Sequence, residues 1–423
     1  MIDLRLLRDD DGYRAGALAK GATPETIERL VADDTLRRAL LAEVESLRAE
    51  ANAASKEIGR ADPDERPTRI AAAAELKEVL QAREAEFAAA ETAVRSEALT
   101  IPNPADPSVP VGGEDSFRVE KVIGETGPAP RYDHGELGER LGIVDTSRAV
   151  RMSGSRFAYL LGDAVRLQFG LVQWALAKLS GRGFIPVITP VLVREDMMEL
   201  AGFFPTDRHQ VYTLEADELF LIGTAEVGLA GLHREEKLDG ADLPLRYAGY
   251  SSCFRREAGT YGKDTSGLFR VHQFDKVEMF SYCAPESSWD ELELIRSIEE
   301  ELISELELPY RVITTASGDL GPAAAKKYDI EVWLPSEQRY RELTSCSNYT
   351  DYSARRMGTR FGTDRGTELV HTLNGTACAI GRTLVFIMEN HQQADGTVVV
   401  PEAIRPFCGG LERIEMPAGA ADA

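Results

Sequence analysis

The chain has 423 residues, of which 28% are charged and 43% apolar, with a formal net charge of −22. That balance belongs to soluble globular proteins, long enough for one large domain plus an appendage or for two or three ordinary domains. It excludes a protein that coats DNA nonspecifically, although local clusters of Lys and Arg still govern contacts with nucleic acid.

The opening "MIDLRLLRDD" turns acidic too early and is apolar too briefly for a signal peptide. No run approaches the ~18 uninterrupted apolar residues of a membrane helix. Cys253, Cys283, Cys346, Cys378 and Cys408 are odd in number, scattered and never in a C-x-x-C pair. This usage predicts free thiols in a reducing compartment, hence a cytoplasmic protein.

Residues 24 to about 100 are rich in Ala, Glu, Leu and Arg and contain no Trp or Tyr. Leu40, Val44, Leu47, Ala51, Ala54 and Ile58 recur in steps of four and three, which predicts a heptad seam. "GRADPDERPT", residues 59–68, breaks that seam with a turn signal, and the pattern resumes at Ala73, Leu76, Leu80, Phe87, Ala90 and Val94. The prediction is an antiparallel coiled-coil hairpin over about 27–98, extending roughly 50 Å at the rise of an α-helix. Thr23 before Pro24 reads as an N-cap followed by a first-turn proline. A coiled coil used only for structure or oligomerisation fits the same pattern. Lys56, Arg60, Arg66 and Arg69 near the turn give a polyanion contact modest support. The prolines and glycines of "TIPNPADPSVPVGG", 100–113, end the helix and predict a linker over 101–113, so the expected division is 1–100, linker, 114–423.

The rest is mixed α and β. "GFIPVITPVLV" (183–193), "QVYTL" (210–214), "LFLIG" (219–223), "LRYAGYSSCFRRE" (245–257) and "FRVHQFDKVEMFSYC" (269–283) read as strands. So do "PYRVITTA" (309–316), "YDIEVWLP" (328–335) and "YRELTSCSNYT" (340–350). "RFAYLLGDAVRLQFGLVQWALAKL", "SSWDELELIRSIEEELISEL" and "ACAIGRTLVFIMENHQ" have helical spacing. Long hairpins without regular β-α-β alternation predict an α+β domain, an antiparallel sheet flanked by helices. Neither G-x-G-x-x-G nor a Walker A element is present.

Candidate chemistry gathers in four segments. In "CFRREAGTYGKDTSGLFRVHQFDKVEMF", 253–280, Arg255 and Glu257 share one strand face while Arg256 points to the other. Arg270, His272, Phe274, Lys276 and Glu278 share a face of the returning strand. Guanidinium forks on rigid strands suit phosphate oxygens, Phe274 could stack a purine and Glu278 could hold an ammonium group. A surface hairpin laced with cross-strand salt bridges would show the same alternation. "LIGTAEVGL" bunches Thr224, Ala225 and Glu226 at a strand end, although Thr224 could equally cap a helix. "YRELTSCSN" alternates Glu342 with Thr344 and Leu343 with Ser345, offering oxygen ligands suited to Mg²⁺. "LNGTACAIGRTLVFIMEN" runs Asn374, Gly375 and Thr376 into a helix whose Arg382 needs an anion, an aromatic face or water.

In this order the segments resemble those of bacterial-type seryl-tRNA synthetases, a family of class II aminoacyl-tRNA synthetases, from "LRLLRD" to "IRPFCGG". "GFIPVITPVLVRE" resembles the family's motif 1, with Pro190 at the dimer-interface position. "FRRE…GLFRVHQFDKVEMF" resembles motif 2 and "GRTLVFIMEN" motif 3, while "TAE", "ELTSCSN" and "HTLNG" look like the serine versions of their segments. The resemblance implies a class II catalytic domain and a tRNA-binding helical arm. The substrates it implies are ATP, L-serine and tRNA(Ser), with tRNA(Sec) left open as a second acceptor. It implies Mg²⁺, a cytoplasmic homodimer, and neither a membrane nor DNA as partner.

It also implies residue roles. Arg255 would hold the ATP α-phosphate, Arg270 and Arg382 the β- and γ-phosphates, and Phe274 with Arg382 would sandwich the adenine. Those three arginines and Glu342 would form the catalytic set. Glu257 and the backbone at Val271 would fix the base, with Arg256, Leu343 and Thr344 completing the ATP site. Glu342 and Ser345 would coordinate Mg²⁺. Thr224, Ala225, Glu226, Arg255, Glu278, Asn374 and Thr376 would bind serine, Thr376 standing where many members carry Ser. "EAGTYGKDTSG" would be a mobile loop responding to ATP and to the tRNA acceptor end. His272 and His371 have no catalytic role in this chemistry, because a carboxylate is already nucleophilic at neutral pH. Two alternatives stand beside this one: an amino acid:carrier-protein ligase, whose relatives lack the long arm, and a coiled-coil scaffold with an inactive synthetase-like domain.

Overall fold

Strong helix formers dominate residues 24–98, and they form two long helices. The structure, a computed structural model, describes residues 1–259 and 267–417; the expected loop "EAGTYGKDTSG" lies largely outside them. The chain divides into two units, residues 1–107 and 108–423.

In the first unit, α1 (Leu4–Asp9) and α2 (Asp11–Ala19) precede the long pair α3 (Pro24–Arg60) and α4 (Arg66–Ala98). Thr23 Oγ1 accepts from the Thr26 amide, with Pro24 in the first turn. Leu40 and Val44 are buried, and the later seam residues on both helices are shielded while their neighbours face water. The seam is therefore the heptad pattern made solid. Arg48–Glu84 at 2.7 Å, Arg83–Glu43 at 3.2 Å and Arg69–Glu57 at 2.9 Å pair the helices antiparallel. Exposed ion pairs contribute only about 0.2–1 kcal/mol each, so they specify register more than stability. At the base, Leu7, Ile27 and Leu30 are buried, and buried Asp34 gathers Arg8, Arg37 and Arg38. The proline-rich stretch does end helix. Ile101 and Asn103 are buried and the Ala105 amide donates to Gly16 O within the first unit, while in the second unit Pro110 O and Gly112 O accept from the Ser317 and Gly318 amides.

In the second unit the described residues form an eight-stranded sheet. Its strands are β1 (Arg118–Ile123), β2 (Ile185–Ile188), β3 (Leu245–Phe254), β4 (Gln273–Cys283), β5 (Tyr310–Thr314), β6 (Lys326–Leu334), β7 (Arg339–Asn348) and β8 (His371–Ala379). Their spatial order is β1-β5-β6-β7-β8-β4-β3-β2, antiparallel throughout except for β2 beside β3. Helices α5 (Asp163–Gly181), α6 (Ser288–Glu305) and α7 (Ile380–Asn390) share one apolar cluster with the sheet. Alternate strand residues, including Val277, Met279, Ile330 and Cys346, supply the sheet's side of it.

Several expectations need correction. The segment 183–193 is not one strand but β2 followed by a separate Leu192–Arg194, because the Thr189–Pro190 step interrupts pairing. Only Thr213–Leu214 of 210–214 pairs as a strand. The hairpin strands stop at Phe254 and restart at Gln273, so Arg255, Glu257, Arg270 and His272 lie on connecting backbone, where the Arg255 amide still donates to His272 O and the His272 amide to Arg156 O. Asn374, Gly375 and Thr376 do not lead into helix: they lie within β8, and α7 begins at Ile380. The helix expected from Arg156 starts only at Asp163.

Candidate active site

Side chains from the sheet, from the ends of the hairpin connection and from the start of α7 converge on a cleft whose lining includes Arg255, Glu257, Arg270, Val271, Phe274, Glu342, Leu343, Ser345, Thr376 and Arg382. Arg255 Nε donates to Gly223 O at 3.2 Å, and its guanidinium lies 5.2 Å from the Phe274 ring centroid. Its far nitrogens are thus aimed by an acceptor and an aromatic face. Glu257 occupies left-handed backbone at φ +50° and ion-pairs with Arg270 across the loop ends. Such strain at a non-glycine residue persists only where surroundings over-determine it. Arg382, in the first turn of α7, donates to Glu342 O at 3.0 Å, reaches Glu342 Oε2 at 3.4 Å, and sits 5.0 Å from the Phe269 ring centroid.

Glu342 and Ser345 line the same wall although strict alternation would put them on opposite faces. The register explains this. Ile330 pairs with Thr344 and Glu331 with Glu342, so Leu343 is an extra residue, a β-bulge that resets the alternation. Thr344, expected on the Glu342 face, instead points behind the sheet, where its hydroxyl donates to Glu299 Oε2 at 3.3 Å. The surrounding protein partly desolvates the Glu342 carboxyl, whose side chain stays 48% exposed, but Arg382, Lys327 and Arg255 outweigh this and hold the group below the usual carboxylate range. Neighbouring Asp329 is pushed the other way by burial, only partly offset by Lys327.

Thr224, Glu226, Glu278 and Asn374 are not in the cleft lining itself but form a buried polar group behind two residues that are, Thr376 and Lys276. Thr224, Glu226, Glu278, Asn374 and Thr376 are all buried. Asn374 Nδ2 donates to Glu226 Oε2 at 3.1 Å and to Glu278 Oε1 at 3.2 Å; the Thr376 hydroxyl reaches Glu278 Oε2 at 3.4 Å. Lys276 ion-pairs with Glu278. Burial, then the negative charge of Glu278, pushes Glu226 up to about 7. Thr224 Oγ1 accepts from the Glu226 amide at 3.2 Å, but the residue that caps the short helix Glu226–Ala230 is Ala225, whose side chain makes no capping bond, so Thr224 is not the helix cap. That helix rests on β3 where Gly249 stands, since a Cβ there would fall 2.7 Å from Leu229 Cδ1.

Some expected residues lie elsewhere. Arg256 is exposed, its amide donating to Gln210 O, and Ala225 is buried in the short helix's entry. His272 Nδ1 bonds Arg255 O at 2.9 Å and His371 Nδ1 meets Ser288 Oγ at 2.9 Å, both as supports. Sequence reading assigned no role to Lys276, although a Lys and a Glu two apart on an apolar strand were a usable signal. It had no signal for Tyr349, which hydrogen-bonds Glu226 from just beyond β7.

Three guanidinium groups, two of them beside aromatic faces, suit a purine triphosphate, and paired carboxylates beyond them suit an ammonium group. An antiparallel sheet with this cleft on one face and helices on the other is the catalytic core of a class II aminoacyl-tRNA synthetase. Residues 210–391 match the tRNA synthetase class II core domain of the G, H, P, S and T enzymes, and residues 1–105 match the seryl-tRNA synthetase N-terminal domain. The chain is 49% identical to a serine–tRNA ligase of Mycobacterium avium (strain 104), over 97% of each protein. Its fold is similar to a seryl-tRNA synthetase from Pyrococcus horikoshii complexed with ATP, at a TM-score of 0.91 and 39% identity over 99% of this chain and 100% of that one. It also resembles a cytoplasmic serine–tRNA ligase of Naegleria fowleri in complex with AMP, at 0.89 and 31% over 98% and 99%. The chain belongs to the seryl-tRNA synthetase family, whose members are aminoacyl-tRNA ligases. Among the described residues no helix is long and apolar enough to cross a membrane, and the five cysteines are buried free thiols.

Proposed function

We propose that this chain activates L-serine with ATP in the cleft of residues 108–423 and passes the seryl group to tRNA(Ser), which residues 24–98 engage. The observation that carries this reading is the convergence of Arg255, Arg270, Arg382 and Glu342 on one cleft, with Glu278 bonded to its lining residues Thr376 and Lys276 and joined to Glu226 through Asn374. In the first step a serine carboxylate oxygen attacks the α-phosphorus, and the bond to the β-phosphate oxygen breaks, releasing pyrophosphate. In the second, a terminal ribose hydroxyl of tRNA attacks the acyl carbon, AMP leaves and the hydroxyl proton is lost. No general base is needed in the first step; its barrier comes from bringing anions together, which pre-placed cations lower.

Arg255 takes the α-phosphate while Arg270 and Arg382 take the terminal phosphates. Phe274 and Arg382 enclose the adenine, and Val271 and Glu257 meet its edge. Glu226 and Glu278 receive the ammonium group, with Asn374 between them. Thr376 meets the serine hydroxyl, so alanine would leave a buried polar group unpaired, a discrimination that can reach ~10⁴. Glu342, kept ionised by Arg382, and Ser345 offer one wall of hard oxygen ligands that fits Mg²⁺. Among the described residues no three His, Cys, Asp or Glu side chains cluster as a metal cage, so phosphate oxygens would supply much of its coordination. When bound, the ion neutralises charge on the phosphates.

A homodimer fits the exposed edge of the sheet. Ile188 is 82% exposed, Ile185 52% and Phe169 of α5 54%, an apolar exposure that suits burial against a second copy. Free thiols support a cytoplasmic setting. Serine-dependent ATP–pyrophosphate exchange, measured across all twenty amino acids and followed by charging of bulk tRNA, tests the reading. Exchange with another amino acid, or seryl transfer to a carrier protein instead of tRNA, overturns it; charging of purified tRNA(Sec) decides the second acceptor.

A further inference from the structure

Directly behind this buried polar group, α6 presents a carboxyl group that the reaction does not use. Glu299 is 0% exposed. Its Oε2 accepts from Thr344 Oγ1 at 3.3 Å, whereas Oε1 has no hydrogen-bond partner. Oε1 also lies 2.9 Å from where a Cβ on Gly375 would stand, with Ile295 Cγ2 at 2.3 Å from the same point. Gly375 is therefore the gap that admits α6 against β8. Cys346 pairs with Gly375 across the two strands, so Glu299 spans β7 and β8 where they meet. One residue either way the chain faces the cleft or the polar group behind it: Ser345 follows Thr344, and Asn374 and Thr376 flank Gly375.

A carboxylate in this place would be doubly unfavourable. The Thr344 hydroxyl and the weakly donating Cys346 thiol give a buried negative charge little compensation, and it would add a like charge behind Glu278. Burial, then Glu278, raises its proton affinity well above that of an ordinary carboxyl, with Asp329 contributing from β6 and hydrogen bonds from Thr344 and Cys346 opposing.

We propose that Glu299 is a positioning residue for the serine pocket, a neutral carboxylic acid that sets the spacing of β7 and β8 and leaves Glu278 as the charged group facing substrate. Its neutrality means that the pocket's negative charge is concentrated at the front, on groups able to meet an ammonium ion. Its bond to Thr344 ties the wall carrying Ser345 to the strand carrying Asn374 and Thr376. This rests on the serine-activation reading, so the test includes a measurement that needs no substrate.

Difference infrared spectra of wild type against Glu299→Gln, in the full-length protein near neutral pH, should show loss of the carbonyl stretch of a protonated buried acid. Loss of carboxylate bands instead overturns the proposal, whether or not serine is the substrate. In ATP–pyrophosphate exchange, Glu299→Gln, which keeps an acceptor for Thr344 without charge, should hold KM for serine within about twofold. Glu299→Leu, which loses the acceptor, should raise it about five- to tenfold with KM for ATP unchanged. Should the leucine variant not fold, Thr344→Val removes the same bond and should raise serine KM alone. Equal damage from Gln and Leu, parallel rises in both KM values, or an unchanged serine KM in the variants lacking the bond overturns the proposal.

Discussion

Glu226 and Glu278, more than fifty positions apart in the chain, are held to a single amide nitrogen of Asn374 at 3.1 and 3.2 Å. Two buried carboxyls this close do not ionise independently, and the chain separates them: Glu278 has Lys276 as counter-ion, while Glu226 is pushed up to about 7 by burial and by Glu278.

A pH dependence follows. In the proposed serine site the ammonium ion requires the ionised form of Glu226, which is lost as pH falls through about 7. kcat/KM for serine in pyrophosphate exchange should therefore decline from about pH 8 to about pH 6, approaching tenfold per unit on the acid side. Serine binding near neutrality should release a proton, read by calorimetry in buffers of different ionisation enthalpy. Glu226→Gln should lower activity and flatten the acid limb; an undiminished acid limb in that variant would remove Glu226 from this role.

Arg255 is aimed by Gly223 O and the Phe274 ring. Lysine keeps the charge but neither the fork nor the stacking, so Arg255→Lys should cut kcat/KM for exchange on the order of a hundredfold with little change in melting temperature. Loss of activity accompanied by loss of fold would not match this expectation.

Glu342 keeps its charge through Arg382, Lys327 and Arg255. Glu342→Gln should raise the Mg²⁺ concentration that half-saturates exchange by about tenfold or more, while serine binding without ATP stays near wild type. A metal titration of the exchange rate checks it.

The long helices carry no residue of the cleft, and Arg83 and Glu43 mark a level at which they can be rejoined. Replacing residues 44–82 with a short Gly-Ser turn leaves Ile27, Leu30 and Asp34 at the base. Exchange should remain within about threefold of wild type, whereas tRNA charging should fall by orders of magnitude. Full charging by this variant would sever the arm from tRNA recognition.

Ile188 projects from the edge strand at 82% exposure. Ile188→Asp would place an unpaired carboxylate in the proposed subunit interface and weaken dimerisation on the order of a hundredfold. Sedimentation velocity across a dilution series reads that shift; an unchanged dimer would locate the interface elsewhere.

The helical arm was legible from sequence almost residue by residue, because a heptad seam is a local periodicity and needs only one partner helix of like pattern. The chemical inventory was legible too: Arg255, Arg270, Arg382, Glu342 and the "TAE" and "NGT" groups stand out as charged and polar side chains inside apolar segments. Side-chain direction was a different matter. On a strand it depends on hydrogen-bond register with neighbours far away in the chain, and the extra residue at Leu343 reverses the parity that alternation assigns to Glu342 and Ser345. The same non-local pairing put Asn374 and Thr376 on a strand rather than at a helix entrance and brought Glu299 against Gly375 from behind the sheet. Residue types and short-range spacing therefore determined which groups are available, while the three-dimensional pairing of strands decided which of them meet.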